Sequence, residues 1–383
     1  MDNYFSSGFK LGVLGGGQLG RMLLAETQKF DVHTCILDAS EIAPCAPYCH
    51  EFFKGDLLDF DDVYNFGKKV DVLTIEIEHV NIEALYKLEA EGLKVYPQPK
   101  VIETIQHKGK QKDFYKVHNI PTSPHQRFDS LEQLKAAQLN HFPFVWKSAQ
   151  FGYDGMGVKI VRSVEDIKNL PDTECIVEDL IPFKNELAVI VARNASGDIK
   201  TYPVVEMEFH PEANQVEYVI CPARIEEAVA KKARAVAMEV AHAFEHVGLL
   251  AVEMFQTEED DIIINEVAPR THNSGHYSIE ASHTSQFEQH LRTILDLPLG
   301  NTDSKLAGIM VNLVGEEGYE GEVVYENIRE ILKIDGVTPH LYGKKMTKPF
   351  RKMGHVTIVN KDITEARKTA ELVKNTVKVI SVS

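Results

Sequence analysis

Short apolar runs alternate with longer amphipathic stretches through the N-terminal part of the chain. Apolar runs bounded by turn residues predict buried strands, and the amphipathic stretches predict helices. The predicted strands are residues 10–14, 34–37 and 70–77, and the predicted helices are residues 21–29 and 82–91. This regular alternation favours a parallel α/β unit.

The pattern changes after about residue 100. A helical stretch at 101–118 leads into a strand-rich segment, and a long alanine-rich helix at 224–247 leads into two strands at 250–255 and 262–264. Several short strands follow residue 307. We therefore predict mixed α/β and α+β architecture in three units: an N-terminal parallel α/β domain (1–104), a central domain (105–305) with a subdomain at 121–185, and a small C-terminal β-rich domain (306–383).

Composition narrows the possible functions. The chain has 383 residues, 44% of them hydrophobic, and a net charge of -16, which argues against a nucleic-acid partner because no basic stripe offsets it. No apolar run reaches the roughly 18 residues that a membrane span needs. The first ten residues lack signal-peptide features, and five cysteines form no disulfide framework. We expect a cytoplasmic protein with reduced thiols.

Two neighbouring predicted strands of the central unit each carry a carboxylate. With a turn at the acidic link 256–261, we expect Glu253 to lie close to Ile264, and Glu266 to be its diagonal neighbour on the same face. Such a pair suits Mg²⁺, which usually also takes phosphate oxygens from a substrate. An acidic hairpin edge in water is the alternative. The dense polar run that follows, from Asn265 to His276, favours a functional site.

A glycine turn lies between the first strand and the first helix. Gly15, Gly17 and Gly20 fit the dinucleotide fingerprint, and Asp38 follows the next strand where a ribose-binding acid is expected. Taken alone, this pattern supports an NAD-dependent oxidoreductase. Backbone N–H groups at a helix N-terminus also hold any phosphate, so a phosphorylated substrate fits equally well. A tight turn without a ligand is the third interpretation.

The central unit carries weaker signals for a nucleotide. A strand ends at Lys147, a glycine-rich hairpin loop spans residues 152–157, and the strand at 175–181 is followed by Glu186. The loop's N–H groups and the lysine suit phosphates, an exposed strand suits a purine edge, and Glu186 suits ribose hydroxyls. Each signal alone is commonly structural, but their order along the chain is specific.

This order resembles that of the ATP-grasp superfamily. Within it, the run from Asn265 to His276 followed by residues 285–290 is similar to the N5-carboxyaminoimidazole ribonucleotide synthetases of purine biosynthesis. Further matching motifs lie at residues 15–22, 76–78, 152–155, 342–344 and 351–355, and together they span most of the chain.

The resemblance implies a three-domain ATP-grasp architecture with a lid subdomain at about 121–185, and a homodimeric ligase that uses ATP, Mg²⁺ and bicarbonate to carboxylate aminoimidazole ribonucleotide. It implies that ATP contacts Lys108, Lys147, Gly152, Tyr153, Asp154, Gly155, Met156, Gly157, Glu178, Asp179, Leu180, Ile181, Glu186, His210, Asn265 and Glu266. The implied metal ligands are Glu253 and Glu266, and the implied catalytic residues are Asp154, Arg270, His272 and His276. The implied substrate contacts are Gly17, Gln18, Leu19, Glu76, Tyr153, Asn273, Ser274, Lys344 and Arg351.

Some residues of this chain depart from the family pattern. Family members often carry arginine where this chain has Lys108 and proline where it has Thr271, and lysine makes no bidentate phosphate contact. Asn265 points away from Glu266 in a regular strand, so joint metal ligation requires a twist or bulge. His272 or Asp154 is the candidate for proton transfer, and His276 has a structural alternative. A formate-using transformylase, an oxidoreductase and a non-catalytic nucleotide-binding regulator are the rival functions.

Overall fold

The computed structural model describes residues 4–139, 141–150, 157–210 and 215–382. Its N-terminal unit is a parallel sheet in the order β3-β2-β1-β4-β5, as the alternating pattern predicted. The elements are β1 (Lys10–Leu14), α1 (Gln18–Lys29), β2 (His33–Asp38), β3 (Glu51–Lys54), α2 (Phe60–Gly67), β4 (Val72–Ile75), α3 (Ile82–Ala90) and β5 (Lys94–Val95).

Two helices lead from this sheet into a small antiparallel subdomain with strand order β6-β9-β7-β8. The elements are α4 (Pro99–Gln106), α5 (Lys108–Val117), β6 (His125–Phe128), α6 (Leu131–Ala136), β7 (Phe144–Ser148), β8 (Val158–Val161), α7 (Val164–Ile167) and β9 (Cys175–Asp179). Trp146 and Phe144 fill its separate core.

The central part of the chain contains the predicted alanine-rich helix and the carboxylate hairpin. Its elements are β10 (Asn185–Arg193), β11 (Ile199–Thr201), β12 (Val205–Phe209), β13 (Val216–Cys221), α8 (Glu227–Ala243), β14 (Gly248–Gln256), β15 (Ile262–Ala268), α9 (Ser278–Ala281) and α10 (Gln286–Ile294). Phe287, Leu291 and Ile294 of α10 pack into the hydrophobic cluster of the N-terminal sheet. This contact brings the polar run before α10 close to the glycine turn.

The C-terminal part completes the largest sheet. Its elements are β16 (Ala307–Val314), β17 (Gly321–Glu326), α11 (Ile328–Ile331), β18 (Val337–Leu341), β19 (Met346–Thr347), β20 (Lys352–Asn360), α12 (Ile363–Thr376) and β21 (Lys378–Ser381). The sheet has the order β15-β14-β10-β12-β13-β16-β20-β18, with β11 beside β10, so it runs across the predicted boundary between residues 305 and 306. Among the helices in the described ranges, none has the length and apolar character of a membrane span.

Candidate active site

A cavity of about 390 Å³ opens where the three parts of the chain meet. The glycine turn forms one wall, and the hairpin of β14 and β15 with its polar run forms a second. Tyr342, just after β18, and Lys352, at the start of β20, form a third. Charged and polar lining residues include Gln18, Glu76, Glu78, Lys108, Glu253, Glu266, Arg270, His272, Asn273, His276, Tyr342 and Lys352. Most of these residues come from the motifs identified in the sequence.

The carboxylate hairpin forms, but its register differs from the expected one. Glu253 pairs directly with Glu266, and Met254 pairs with Ile264. The expected position of Glu253 beside Ile264 was therefore wrong, because the residue opposite Ile264 is the next one along β14. The cause is a bulge in β15, where Asn265 is the extra residue. The bulge lets Asn265 and Glu266 face the same lysine-rich wall: Lys147 Nζ donates to Asn265 Oδ1 (2.9 Å), and Lys108 Nζ donates to Glu266 Oε2 (3.0 Å).

Three carboxyl groups, those of Glu186, Glu253 and Glu266, come from three adjacent strands and influence one another's ionisation. Burial and the neighbouring charge of Glu266 raise the pKa of Glu253, whereas the ammonium of Lys108 lowers the pKa of Glu266. Burial and the charge of Glu266 raise the pKa of Glu186, on β10, to about 7. Carboxylates that repel each other in this way fit a hard divalent cation with oxygen ligands, and Asn265 adds a neutral oxygen.

A buried carboxylate holds two lysines beside these carboxyl groups. Glu178, which is 4% exposed, lies 3.2 Å from Lys112 Nζ and 3.1 Å from Lys147 Nζ, and it accepts a hydrogen bond from Ser123 Oγ (2.9 Å). Burial opposes ionisation, but the charges of Lys147 and Lys112 lower the pKa of Glu178 to about 2. The Glu178 side chain thus orients Lys147, which in turn reaches Asn265.

Lys112 is a buried lysine that the sequence analysis missed. Burial lowers its pKa to about 8 despite the charge of Glu178. It follows Lys108 by four residues on α5, so the two lysines share one helical face. The four-residue spacing from Lys108 is the feature of the sequence that could have identified Lys112 as a neighbour of Lys108.

The glycine turn is held by two carboxylates. Gly15 has a φ of 101°, a conformation that favours glycine, and the N–H of Gly16 donates to Asp38 Oδ2 (2.7 Å). Glu76 Oε1 accepts from the N–H of Leu19 (3.0 Å), and a Cβ at position 17 would overlap that carboxylate. Helix α1 therefore begins at Gln18, three residues before the predicted start. Asp38 supports the turn, which gives it a structural role independent of a ribose.

Replacing Glu76 with glutamine is expected to raise the free energy of unfolding at pH 8 by about 1–3 kcal/mol. Burial raises the pKa of Glu76 from 4.5 to about 7, more than the nearby charge of Arg270 lowers it. The folded state therefore binds the proton more tightly than the unfolded chain, and ionisation costs stability as pH rises from 4.5 through 7.

Denaturant unfolding of Glu76→Gln at low and high pH checks this expectation. The stability gain should be present at pH 8 and absent near pH 4, where the carboxyl is protonated in both states. Glu41→Gln, at an exposed position of the same unit, is the matched control and should show no such pH-dependent gain. An equal effect of Glu76→Gln at both pH values would contradict the conclusion that ionisation of the buried Glu76 carboxyl destabilises the folded state.

The polar run after β15 links the hairpin to the other walls. Arg270 Nε lies 2.9 Å from Glu78 Oε1 of the N-terminal unit, and His272 Nε2 lies 3.3 Å from Glu253 Oε1. His272 Nδ1 accepts from the N–H of Ser274 (3.2 Å), so Nε2 is the nitrogen that faces the carboxylates. The side chain of Asn273 pairs with Asn312 of β16 (2.9 Å).

Two basic residues of the C-terminal part, Lys344 and Arg351, donate hydrogen bonds to backbone carbonyls. Lys344 Nζ donates to the carbonyl of Lys352 (2.7 Å), and Arg351 Nη1 donates to the carbonyl of Met346 (2.7 Å). In the described part of the chain, Tyr342 and Lys352 are the C-terminal residues that line the cavity. The substrate contacts of Lys344 and Arg351 stay predictions, and Lys352 is a cavity residue that the sequence analysis missed.

The remaining implied nucleotide contacts are only partly described. Gly152, Tyr153, Asp154, Gly155 and Met156 lie outside the described residues. Gly157 closes the β7–β8 hairpin through its carbonyl, which accepts from the N–H of Ser148 (2.9 Å). After Glu178, Asp179 and Leu180 are exposed and Ile181 is half-buried. The ring of His210 lies 6.2 Å from that of Phe350.

Comparison with known proteins identifies three consecutive domain families. The ribonucleotide synthetase preATP-grasp domain matches residues 9–106, the ATP-grasp domain matches residues 113–287, and the phosphoribosylaminoimidazole carboxylase C-terminal domain matches residues 308–369.

Individual relatives match over nearly the whole chain. The phosphoribosylaminoimidazole carboxylase of Candida glabrata is 36% identical over 95% of this chain, which spans 65% of that longer relative. The crystal structure of N5-carboxyaminoimidazole ribonucleotide synthetase from Thermotoga maritima is 41% identical, with a TM-score of 0.90 over 98% of this chain and 100% of that one. The Aspergillus clavatus synthase in complex with ADP and 5-aminoimidazole ribonucleotide is 34% identical, with a TM-score of 0.87 over 96% of this chain and 98% of that one.

Proposed function

Because the chain belongs to the N5-carboxyaminoimidazole ribonucleotide synthetase family of ATP-grasp enzymes, we propose that it carboxylates the 5-amino group of aminoimidazole ribonucleotide with bicarbonate and ATP. The products are N5-carboxyaminoimidazole ribonucleotide, ADP and phosphate. One observation carries the proposal: the paired carboxylates Glu253 and Glu266 face the same cavity as Lys108, Arg270 and the glycine turn.

The hairpin side of the cavity is assigned to ATP. Glu253 and Glu266, with Asn265 nearby, would hold Mg²⁺, which neutralises charge on the phosphoryl group during its transfer. Lys108 and Lys147 extend from α5 and β7 toward the same wall and would bind the phosphates as point charges. Glu178 orients Lys147, since the two side chains lie 3.1 Å apart.

The other side of the cavity is assigned to bicarbonate and the ribonucleotide. The backbone of Gly17 and Gln18, at the start of α1, lines the cavity and suits the substrate phosphate, and Lys352 adds a cation. Arg270, held at 2.9 Å by Glu78, suits the bicarbonate anion or the phosphate that leaves it. This arrangement places the amine and the bicarbonate between the two halves of the site.

The reaction then proceeds in two steps. A bicarbonate oxygen attacks the γ-phosphorus of ATP, the bond to ADP breaks, and carboxyphosphate forms. Carboxyphosphate releases phosphate and carbon dioxide inside the cavity, and the amine attacks the carbon dioxide and loses a proton. We assign the segment 121–185 as a lid that excludes water from this intermediate. His272, through Nε2, and Asp154 remain the two candidates for the proton.

We also propose an oligomeric state and a cellular location for the enzyme. We propose that the enzyme is a homodimer, because symmetric dimers are the commonest closed oligomers of soluble proteins. Analytical ultracentrifugation would measure the mass of the oligomer. The five free cysteines support a reducing compartment such as the cytoplasm. The matched domain families support three units with boundaries near residues 104 and 305.

A phosphate-release assay with single omissions tests the proposed function. Phosphate should form when ATP, Mg²⁺, bicarbonate and aminoimidazole ribonucleotide are all present, and its rate should fall to background when any one is omitted. Replacing bicarbonate with formate should also give background, which separates this activity from that of a formate-using transformylase. Phosphate release that is supported by formate and not by bicarbonate would overturn the proposal.

A further inference from the structure

A buried glutamine lies behind the polar run and contacts it at three points. Gln286 opens α10, is 0% exposed, and packs so tightly against the turn that a Cβ at Gly275 would lie 2.5 Å from its Oε1. Its Oε1 lies 2.9 Å from the backbone nitrogen of His272, and its Nε2 lies 2.8 Å from the backbone carbonyl of His272. The same Nε2 lies 2.9 Å from Nδ1 of His276.

The two backbone contacts determine which way the carboxamide points. A backbone N–H only donates, so the group that faces the His272 nitrogen must be the carboxamide oxygen. A backbone carbonyl only accepts, so the group that faces it must be the NH₂. The second hydrogen of that NH₂ is then directed at Nδ1 of His276, which must accept it.

An accepting Nδ1 determines the tautomer of His276. A neutral imidazole carries one proton, so when Nδ1 accepts, Nε2 carries the hydrogen. The ring is 1% exposed and stacks on His355, with centroids 4.6 Å apart, and on Phe287 at 5.8 Å. Burial, together with His272, His340, Lys352 and Arg270, holds the pKa of His276 well below its usual range. The ring is therefore neutral at physiological pH.

We propose that Gln286 is a positioning residue that locks His276 as an Nε2–H donor for an anionic oxygen bound in the cavity. His276 lines the cavity together with Arg270 and Asn273. With Nδ1 occupied and the ring neutral, His276 binds a carboxylate-type oxygen and does not remove a proton from the amine. The identity of that oxygen, in bicarbonate or the carboxylated product, rests on the proposed function, whereas the tautomer does not.

Nitrogen NMR of the protein labelled with ¹⁵N in its histidine rings measures the tautomer directly, without substrates. The Nδ1 signal of His276, assigned by its absence in His276→Gln, should fall in the range of an unprotonated imidazole nitrogen, and Nε2 in that of a protonated one. A protonated Nδ1 in the unmodified protein would overturn the inference. Because no turnover is needed, failure here is distinct from failure of the carboxylation assay.

Gln286→Glu tests the positioning role, since it keeps the size of the side chain and replaces the donating NH₂ with an oxygen. We expect Nδ1 of His276 to become protonated and kcat for bicarbonate-dependent phosphate release to fall about 10- to 100-fold, as when a partner behind a functional histidine is removed. The KM for ATP should change little.

Gln289→Glu is the matched control. Gln289 is another 0% exposed amide on α10, but it bonds to the backbone of Gly300. This variant should leave the His276 tautomer unchanged and should retain most of kcat. Equal losses of kcat in the two variants, or an unchanged tautomer in Gln286→Glu, would contradict the role of Gln286.

Discussion

Replacing Glu266 with glutamine is expected to lower the rate of phosphate release by roughly 10²- to 10³-fold, the effect of removing one preorganised charge-stabilising group. Glutamine keeps the shape of the side chain and one oxygen but loses the negative charge that the proposed Mg²⁺ site requires. It also removes the charge that Lys108 contacts at 3.0 Å. Steady-state assays at saturating ATP and increasing Mg²⁺ measure the loss.

The matched control for this variant lies on the same hairpin. Glu259 is an exposed carboxylate in the turn between β14 and β15, so Glu259→Gln makes the same chemical change away from the cavity. It should retain full activity, and both variants should keep the circular dichroism spectrum of the unmodified protein. Full activity of Glu266→Gln would refute the metal role of this carboxylate.

Replacing Glu178 with glutamine is expected to lower the free energy of unfolding by about 3–5 kcal/mol, the usual cost of removing one partner from a buried ion pair. Lys112 and Lys147 would both lose their counter-charge, and their side chains are 2% and 8% exposed. Activity should also fall, because Lys147 loses the group that orients it toward Asn265. Urea unfolding measures the change in stability.

The neighbouring lysine provides an internal check. Adding Lys112→Met to Glu178→Gln removes one uncompensated charge and should recover part of the lost stability, without restoring the orientation of Lys147. Glu165→Gln changes a carboxylate that is 73% exposed in the same subdomain and should change stability by only about 0–1 kcal/mol. A Glu178→Gln loss no larger than that of Glu165→Gln would contradict the buried network.

The pH dependence of the Glu178 effect has a definite sign. The folded-state pKa is lowered from 4.5 to about 2, so the carboxylate's contribution is fully present above pH 4.5 and is lost as pH falls toward 2. The difference in stability between the unmodified protein and Glu178→Gln should therefore shrink below pH 4.5. A difference that grows on acidification would contradict the assigned ion pairs.

Local patterns in the sequence predicted the parts of the site that depend on local structure. Strand alternation and the acidic turn placed Glu253 and Glu266 on one face, and the glycine turn was predicted at the start of α1. The register of the hairpin was not predictable, because one bulged residue, Asn265, shifts the pairing and accepts a hydrogen bond from Lys147 of the small antiparallel subdomain, far away in the sequence.

Contacts between distant segments account for the other differences. The pairing of Glu78 with Arg270 joins residues far apart in the sequence, and no local pattern predicts it. Arg351 and Lys352 are adjacent at the start of β20, and only the packing of that strand decides which of them lines the cavity. The buried position of Gln286 depends likewise on how α10 packs against the N-terminal sheet.

Isotope transfer from bicarbonate tests the central claim most directly. The phosphate-release reaction is run with ¹⁸O-labelled bicarbonate and quenched before the label exchanges with water, and the phosphate is analysed by mass spectrometry. If a bicarbonate oxygen attacks the γ-phosphorus of ATP, the released phosphate must carry one ¹⁸O. Phosphate without the label, formed at the same rate, would mean that water attacks ATP and would contradict the proposed reaction.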